Sequence, residues 1–460
     1  MRFLKLNVVL VFVLNTLLIA ELNSQTIEDE AVKWLQDFIR VDTFNPPGNE
    51  IRAVEFYAAI FDREGIEYQW AESAPGRGNI WARIEGGEEP GLMLLQHTDV
   101  VPADPEFWTV DPLSGDIKDG YILGRGARDM KGTGIAQLAS FLSLHRSGKV
   151  PNRDLVFLAT ADEEAGGFYG AGWMIENHPE VFDGVGLLIN EGGSGSISGD
   201  AIKFGVEITQ KVPVWLRITS TDTPGHGSSP RDTTSVNSLL EALTLIKDNP
   251  FPPRIIPAVD EYFKGLADSM GSDDWSEAYS NMSQAIKDPQ FLPELQKFRS
   301  GHHALTRDTC SITRLSGSSK INTIPPEAWA EIDCRMLPDR PSSEFIKDVE
   351  NLISETGVDL EVIMAFTPAI SDTNSKLFES ITNVTGELYP NSRVLSAVST
   401  GFTDSHFTRD LGIVSYGFDP IITRSGEPTG VHGNDERIPV EAFRNGVADL
   451  WSIVRNLVFD

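Results

Sequence analysis

Five short stretches carry side chains able to hold cations or move protons. They are His97-Thr98-Asp99, Asp129 within Gly124-Arg-Gly-Ala-Arg-Asp-Met-Lys-Gly132, Asp162-Glu163-Glu164, Glu191, and His432 within Gly430-Val-His-Gly-Asn434. Two imidazoles with several carboxylates and no thiolate suit Zn²⁺, Co²⁺ or Mn²⁺ in a hydrolytic site, not a structural cysteine site. With His97 on one ion, His432 on the other and a carboxylate between them, the set fits a two-metal centre of about 3.5–4 Å separation. Adjacent Glu163 and Glu164 do not comfortably ligate one ion together. One as ligand and the other as general base is the natural division. Asp99, two residues after His97, is placed to accept an imidazole N–H or to orient the base.

Taken singly, each of these residues has a plainer explanation. A His at a strand end is more often a satisfied polar residue, a Glu-Glu pair is more often solvated surface, and Asp129 could cap a helix. Their coincidence argues otherwise, because each follows an apolar strand or lies in a glycine-rich loop. Gly91–Gln96, Asp154–Thr160 and Val185–Asn190 are continuous apolar runs, the pattern of strands covered on both faces. Helical periodicity over Gly132–Arg146 and Gly170–Asn177 separates them. Strand and helix in alternation predict an α/β fold with a largely parallel sheet, whose ligands collect at the carboxyl ends of the strands. Helical spacing also runs over Glu28–Glu64, broken by Asn45-Pro-Pro-Gly48, and Asn79–Ile84 alternates like a strand.

The texture changes near Lys211. Val212–Thr219 and Ala328–Arg335 alternate, Thr234–Lys247 and Ser343–Ser354 are helical, and Val358–Phe366 reads as a strand. This order predicts an α+β unit with an antiparallel sheet, 211–366, inserted between two parts of the first domain, 26–210 and 367–460. Within it, 251–308 reads as an additional, mostly helical excursion. The strand Ile413–Phe418 fits the return of the large sheet.

The chain has 460 residues, with 67 Asp plus Glu against 38 Lys plus Arg, for a formal net charge of −29. That balance argues against nucleic acid and against anionic lipid as partners. Only two cysteines, Cys310 and Cys334, are present, so a disulfide-rich scaffold is excluded. The two can pair in an oxidising compartment or stand as buried thiols, and the sequence leaves both open. At the start, Arg2 and Lys5 precede the apolar run Val8–Ala20, followed by the polar Glu21–Gln25. A short charged head and an apolar run below the ~20 residues of a membrane span predict a signal peptide over 1–25 and an exported chain, periplasmic or secreted. No stable membrane insertion is expected after cleavage; an uncleaved anchor is the alternative.

His97-Thr-Asp-Val-Val-Pro102, the Gly124–Gly132 loop, Ala161-Asp-Glu-Glu-Ala-Gly166 and Thr223-Pro-Gly-His-Gly-Ser228 together resemble the M20 metallopeptidases, a family of carboxypeptidases, dipeptidases and amino-acid deacylases. The resemblance runs over most of Ile27–Asp460, with the motifs in order. It implies a zinc-exopeptidase-like catalytic domain with an inserted lid and dimerisation domain, two divalent ions (zinc first, cobalt or manganese possible), and a homodimer formed through the lid. It makes His97 and Glu164 ligands, Asp129 the bridge and Glu163 the base, and has Glu191 ligate the second ion together with His432. Asp99 would support His97. His226 would reach the partner subunit's site to stabilise an oxyanion, with Asn322 helping. Arg335 would hold a substrate carboxylate. Where the family commonly has Arg, two residues after Gly401-Phe-Thr-Asp404, this chain has His406, which stands as a substrate-binding candidate. Glu at position 191 is frequent among deacylases and leans the reading weakly that way.

The expected activity is hydrolysis of a peptide or amide bond next to a free carboxylate, by a carboxypeptidase, a dipeptidase or an N-acyl-amino-acid amidohydrolase. A non-catalytic binding protein on the same fold, or a solute-binding protein, would not require the complete set of ligands and base.

Overall fold

The computed structural model describes residues 26–198, 200–270 and 275–459. The expected signal peptide lies outside the described residues. Among them, no helix is long and apolar enough to cross a membrane.

The large sheet contains β1 (Tyr68–Glu72), β2 (Gly78–Ile84), β3 (Glu89–His97), β4 (Arg153–Thr160), β5 (Val185–Asn190), β6 (Gly195–Ser198) and β7 (Ala201–Gln210). After the smaller sheet, formed by β8 (Val212–Thr221), β10 (Thr309–Ser316), β12 (Glu327–Met336) and β13 (Asp359–Ala365), the chain returns to it as β14 (Ser392–Ser399), β15 (Val414–Gly417) and β16 (Ile422–Arg424). A two-stranded ribbon pairs β9 (Gly225–His226) with β11 (Thr323–Ile324). In the large sheet the order is β1-β2-β4-β3-β5-β15-β7-β6-β16, with β14 alongside β7. Its centre, β4-β3-β5-β15, is parallel, and the edges mix directions. The fold is α/β with a mixed, largely parallel sheet.

Alternation along β3 explains why its sequence is apolar throughout. Leu92 and Leu94 face one layer of helices, and Met93 and Leu95 face the opposite core with Met174 and Leu188. The first layer holds α1 (Ile27–Ile39), α2 (Ile51–Glu64), α3 (Lys131–Ser147), α7 (Lys376–Leu388) and α8 (Val440–Phe459). On α3, Gly134 is required by close approach: a Cβ there would stand 1.9 Å from Gln96 Oε1.

The smaller sheet is antiparallel, in the order β10-β12-β8-β13. One face, with Val214, Leu216 and Ile218 of β8, buries against α4 (Ser235–Asp248) and α6 (Ser342–Ile353). Period-2 alternation turns Trp215, Arg217, Asp333 and Arg335 to the other face. Cys310 and Cys334 stand directly opposite on β10 and β12 and form a disulfide.

The helical excursion, beginning with α5 (Pro257–Met270), packs Val259, Phe263, Tyr279 and Leu295 into the same apolar core as the large sheet. The chain therefore passes between the two cores at Lys211, before α5, after Leu305 and after Phe366, and touches the larger core once more at Leu337. Lys211, fully buried, donates from Nζ to the carbonyls of Ala304 and Arg307 and to Thr309 Oγ1, at 2.8, 2.9 and 2.8 Å, tying the first crossing to the third.

Candidate metal centre

His97 closes β3, Glu163 and Glu164 sit in the turn after β4, and Glu191 follows β5. These three parallel strands are neighbours, so their carboxyl ends deliver the side chains to one rim. Asp129 enters from the loop before α3, and His432 from the loop before α8.

His97 Nε2 lies 3.4 Å from Asp129 Oδ1 and 3.5 Å from Glu191 Oε1. His432 Nε2 lies 3.0 Å from Asp129 Oδ2 and 3.2 Å from Glu164 Oε2. Asp129 thus turns one oxygen to each imidazole, as a bridging carboxylate must. The donor atoms fall into two groups, His97 with Glu163 and Glu191, and Asp129 with Glu164 and His432, each within 4.8 Å. The expected partition is therefore corrected: Glu191 stands with His97, and Glu164 with His432. The cause is register. Glu191 leaves β5, which pairs with β3 (Leu94 opposite Ile189), whereas Glu164 lies a turn beyond β4.

Whether the cluster suits metal ions is tested by its unmatched atoms. His97 Nε2, Glu163 Oε1 and Glu164 Oε1 are buried with no hydrogen-bond partner. Orphaned donor atoms in a buried set of imidazoles and carboxylates are costly unless a cation satisfies them. The residues fit a pair of divalent ions.

Electrostatics says the same. Burial, then Glu191, pushes the Glu163 carboxyl well up, and burial brings Glu191 up to about 7. Burial opposes charge on His97, but Glu191, Asp129 and Asp99 outweigh it and raise its pKa well above the usual imidazole range. Hydrogen bonds to Asp129 and Glu164 raise His432 to about 10. Without cations, protons hold the carboxylates together; a metal ion does the same work with more charge, and displaces them.

Asp99 is a hub. It lies 3.3 Å from His97 Nδ1, accepts the backbone N–H of Glu163 and Glu164 at 3.1 Å each, and takes Asn45 Nδ2 at 2.8 Å. One carboxylate thus sets both the imidazole and the Glu-Glu turn. Behind the turn, Asp162 adopts φ 71°, held by Arg77, by Tyr169 N–H at 3.0 Å and by Asn45. Arg77 also pairs with buried Glu50 at 3.1 Å.

The cluster opens into a cavity of about 500 Å³, walled by Trp215, Arg335, Phe402 and Val431 besides the carboxylates and His432. Arg335 is held side-on by Asp333, with Nε and Nη2 donating at 2.7 and 3.1 Å, while its buried Nη1 has no partner. Asp333 also accepts Trp215 Nε1 at 3.0 Å, fixing two walls at once.

Of the candidates for contact with substrate or oxyanion, His226, Asn322 and His406 do not line this cavity. His226 and Asn322 lie exposed in and beside the β9–β11 ribbon, with His226 Nδ1 2.7 Å from Ser228 Oγ and the Asn322 carbonyl accepting Gly227 N–H at 2.9 Å. His406 is buried, stacked on Phe366 with centroids 3.5 Å apart, and burial pushes its pKa down to about 3. It is a neutral ring behind the wall, not a cationic contact for substrate.

Asn45, Arg77 and Glu436 shape the site, yet sequence reasoning passes over them. For Glu436 a signal existed, its place four residues after His432 in the same loop. Asn45 and Arg77 carry none, because their role comes from tertiary contact alone.

The fold and the cluster define a metal-dependent hydrolase of peptide or amide bonds. The family model of peptidase family M20/M25/M40 matches residues 93–456, and the chain belongs to that family. It is 28% identical over 394 residues to the N-fatty-acyl-amino acid synthase/hydrolase PM20D1 of Xenopus tropicalis, covering 81% of this chain and 74% of the relative. It is 26% identical over 435 residues to human aminoacylase-1, covering 92% and 94%. Among solved structures, the M20 metallo-carboxypeptidase Sso-CP2 of Sulfolobus solfataricus superposes with a TM-score of 0.74 at 18% identity, over 93% of this chain and 99% of that one.

Proposed function

We propose that this chain is an exported, zinc-dependent hydrolase of the amide bond next to a free carboxylate, acting as a carboxypeptidase or dipeptidase. The observation that carries the reading is Arg335, a fork-shaped cation with one buried, unpaired Nη1 in the wall of the cavity that holds the metal cluster. A guanidinium so placed suits a substrate carboxylate.

His97, Asp129 and Glu191 would hold one ion, and Asp129, Glu164 and His432 the other. Bound there, the ions supply Lewis acidity and bring the pKa of water from 15.7 toward ~7. Glu163 takes the proton of the attacking water, which adds to the carbonyl carbon. When the C–N bond breaks, Glu163 returns that proton to the leaving nitrogen and ends unchanged. Burial raises the Glu163 pKa, which favours uptake of the proton. His226 and Asn322, supplied by a partner subunit, would donate to the oxyanion.

The apolar walls Trp215, Phe402 and Val431 favour a second reading, deacylation of an N-acyl amino acid, as do the named activities of the Xenopus and human relatives. A screen of dipeptides, longer peptides with free C-termini and N-acyl amino acids, with and without chelator, separates the two. Turnover that survives full chelation, or that ignores amidation of the carboxylate, overturns the proposal. Export is supported by the charged head and apolar run at residues 1–25 and by the Cys310–Cys334 disulfide, a bond that persists in oxidising compartments. An intact mass for the secreted protein beginning at Met1 would count against signal cleavage.

A further inference from the structure

We propose that Glu436 is a positioning residue that locks the bridging carboxylate Asp129 and the His432 loop into one unit, and so governs uptake of the ion held by Asp129, Glu164 and His432. The inference rests on the two-metal reading above.

Glu436 is fully buried, and its two oxygens are shared between four donors. Oε1 accepts the backbone N–H of Arg128 at 2.7 Å and of Asp129 at 3.0 Å. Oε2 accepts Gly126 N–H at 3.0 Å and Arg125 Nη1 at 2.7 Å. A single carboxylate thus pins the backbone of the bridging ligand and of the residues just before it. Its own main chain completes the tie, because the Glu436 carbonyl accepts Gly124 N–H at 2.9 Å.

The same residue closes the loop that presents His432. Arg437 N–H reaches Thr429 O at 3.0 Å, and Gly433 N–H reaches Gly430 O at 2.8 Å. Gly430 sits at φ 77°, where a Cβ would come within 2.7 Å of Glu436 Cα, so the loop base is compressed against this residue. Arg125, bound to Glu436, also donates from Nη2 to Gly433 O at 2.7 Å, next to His432. Asp129 and His432, 303 positions apart in sequence by their numbers, are therefore set by one side chain. Four donors converging on it require an acceptor at both ends. Only a carboxylate provides that; an amide would oppose its NH₂ to Arg125 and Gly126, or to Arg128 and Asp129. Partners behind metal ligands typically change affinity by about 10–100-fold when replaced.

The test is titration of metal-free protein with Co²⁺, followed by calorimetry and visible absorption, alongside the Tm of the metal-free chain. Wild type is expected to take up two ions, and Glu436→Gln to weaken one of the two sites by about 10–100-fold with an altered absorption band. Two ions bound with wild-type affinity and spectrum, whatever happens to Tm, reduce Glu436 to a structural residue and overturn the inference. Should Glu436→Gln fail to fold, Glu436→Asp, which keeps the charge but draws the carboxylate back, is titrated the same way against the same criteria. A wild-type chain that binds no ions refutes the two-metal reading itself.

Discussion

Glu163 stands a step back from the ligands. Its nearest oxygen is 4.0 Å from His97 Nε2, against 3.4 and 3.5 Å for Asp129 and Glu191, which suits a proton carrier more than a ligand. Replacing it with Gln keeps the size and removes the basicity. Glu163→Gln should therefore bind two ions while losing kcat on the order of 10²–10⁴; near-wild-type kcat in the metal-loaded variant would remove Glu163 from the role of base. At this scale the sequence is most legible where a residue's type limits its uses. His97, Asp129, Glu163, Glu164, Glu191 and His432 converge because buried strand ends leave charged groups few other places to go. Which carboxylate joins which imidazole depends on strand order, and that is a property of the sheet. His406 illustrates the opposite case, where position in a motif suggested a substrate contact and the structure stacks it, buried, on Phe366 behind the cavity lining.

Among elements, those with a strong period are found nearly where the spacing puts them. Val185–Asn190 coincides with β5, and Gly132–Arg146 lies within Lys131–Ser147. Ala201–Gln210 and Ser392–Ser399 are less legible. They pair in parallel near one side of the sheet, and polar residues such as Lys203, Thr209 and Arg393 blur their alternation. One helix carries a titration that a stability measurement can read. Asp449 of α8 accepts Tyr389 OH at 2.6 Å, and burial brings its carboxyl up to about 6. A raised carboxyl pKa means that the folded chain binds the proton more tightly than the unfolded one. The resulting stability is complete below the unfolded value near 3.9 and is lost as pH rises through about 6. Asp449→Asn, always neutral, should therefore gain Tm relative to wild type as pH rises from about 4 to about 6, and hold that gain above it. A difference in Tm that stays flat over that range would show that this carboxyl does not titrate there.

At the scale of the molecule, the excess of 67 acidic over 38 basic residues is scarcely touched by the site, which uses a handful of carboxylates. The remainder favours solubility and says nothing of substrate. The β9–β11 ribbon raises a sharper question, because His226 and Asn322 are exposed on it and do not line the cavity of their own chain. Action on a partner subunit predicts complementation. Mixing inactive His226→Ala chains with inactive Glu163→Gln chains should restore part of the activity, since a mixed pair has one site with both residues intact. Purified heterodimers without rescue would exclude action in trans.

The passages of chain between the two cores have a mechanical consequence. Two passages would act as a pair of hinge pins, leaving rotation about the line through them. With helices of the excursion anchored in the large core and Lys211 riveting the first passage to the third, the joint behaves as a bracket. Swinging of the smaller sheet about any one passage is then resisted at the others, because each passage is anchored in both cores.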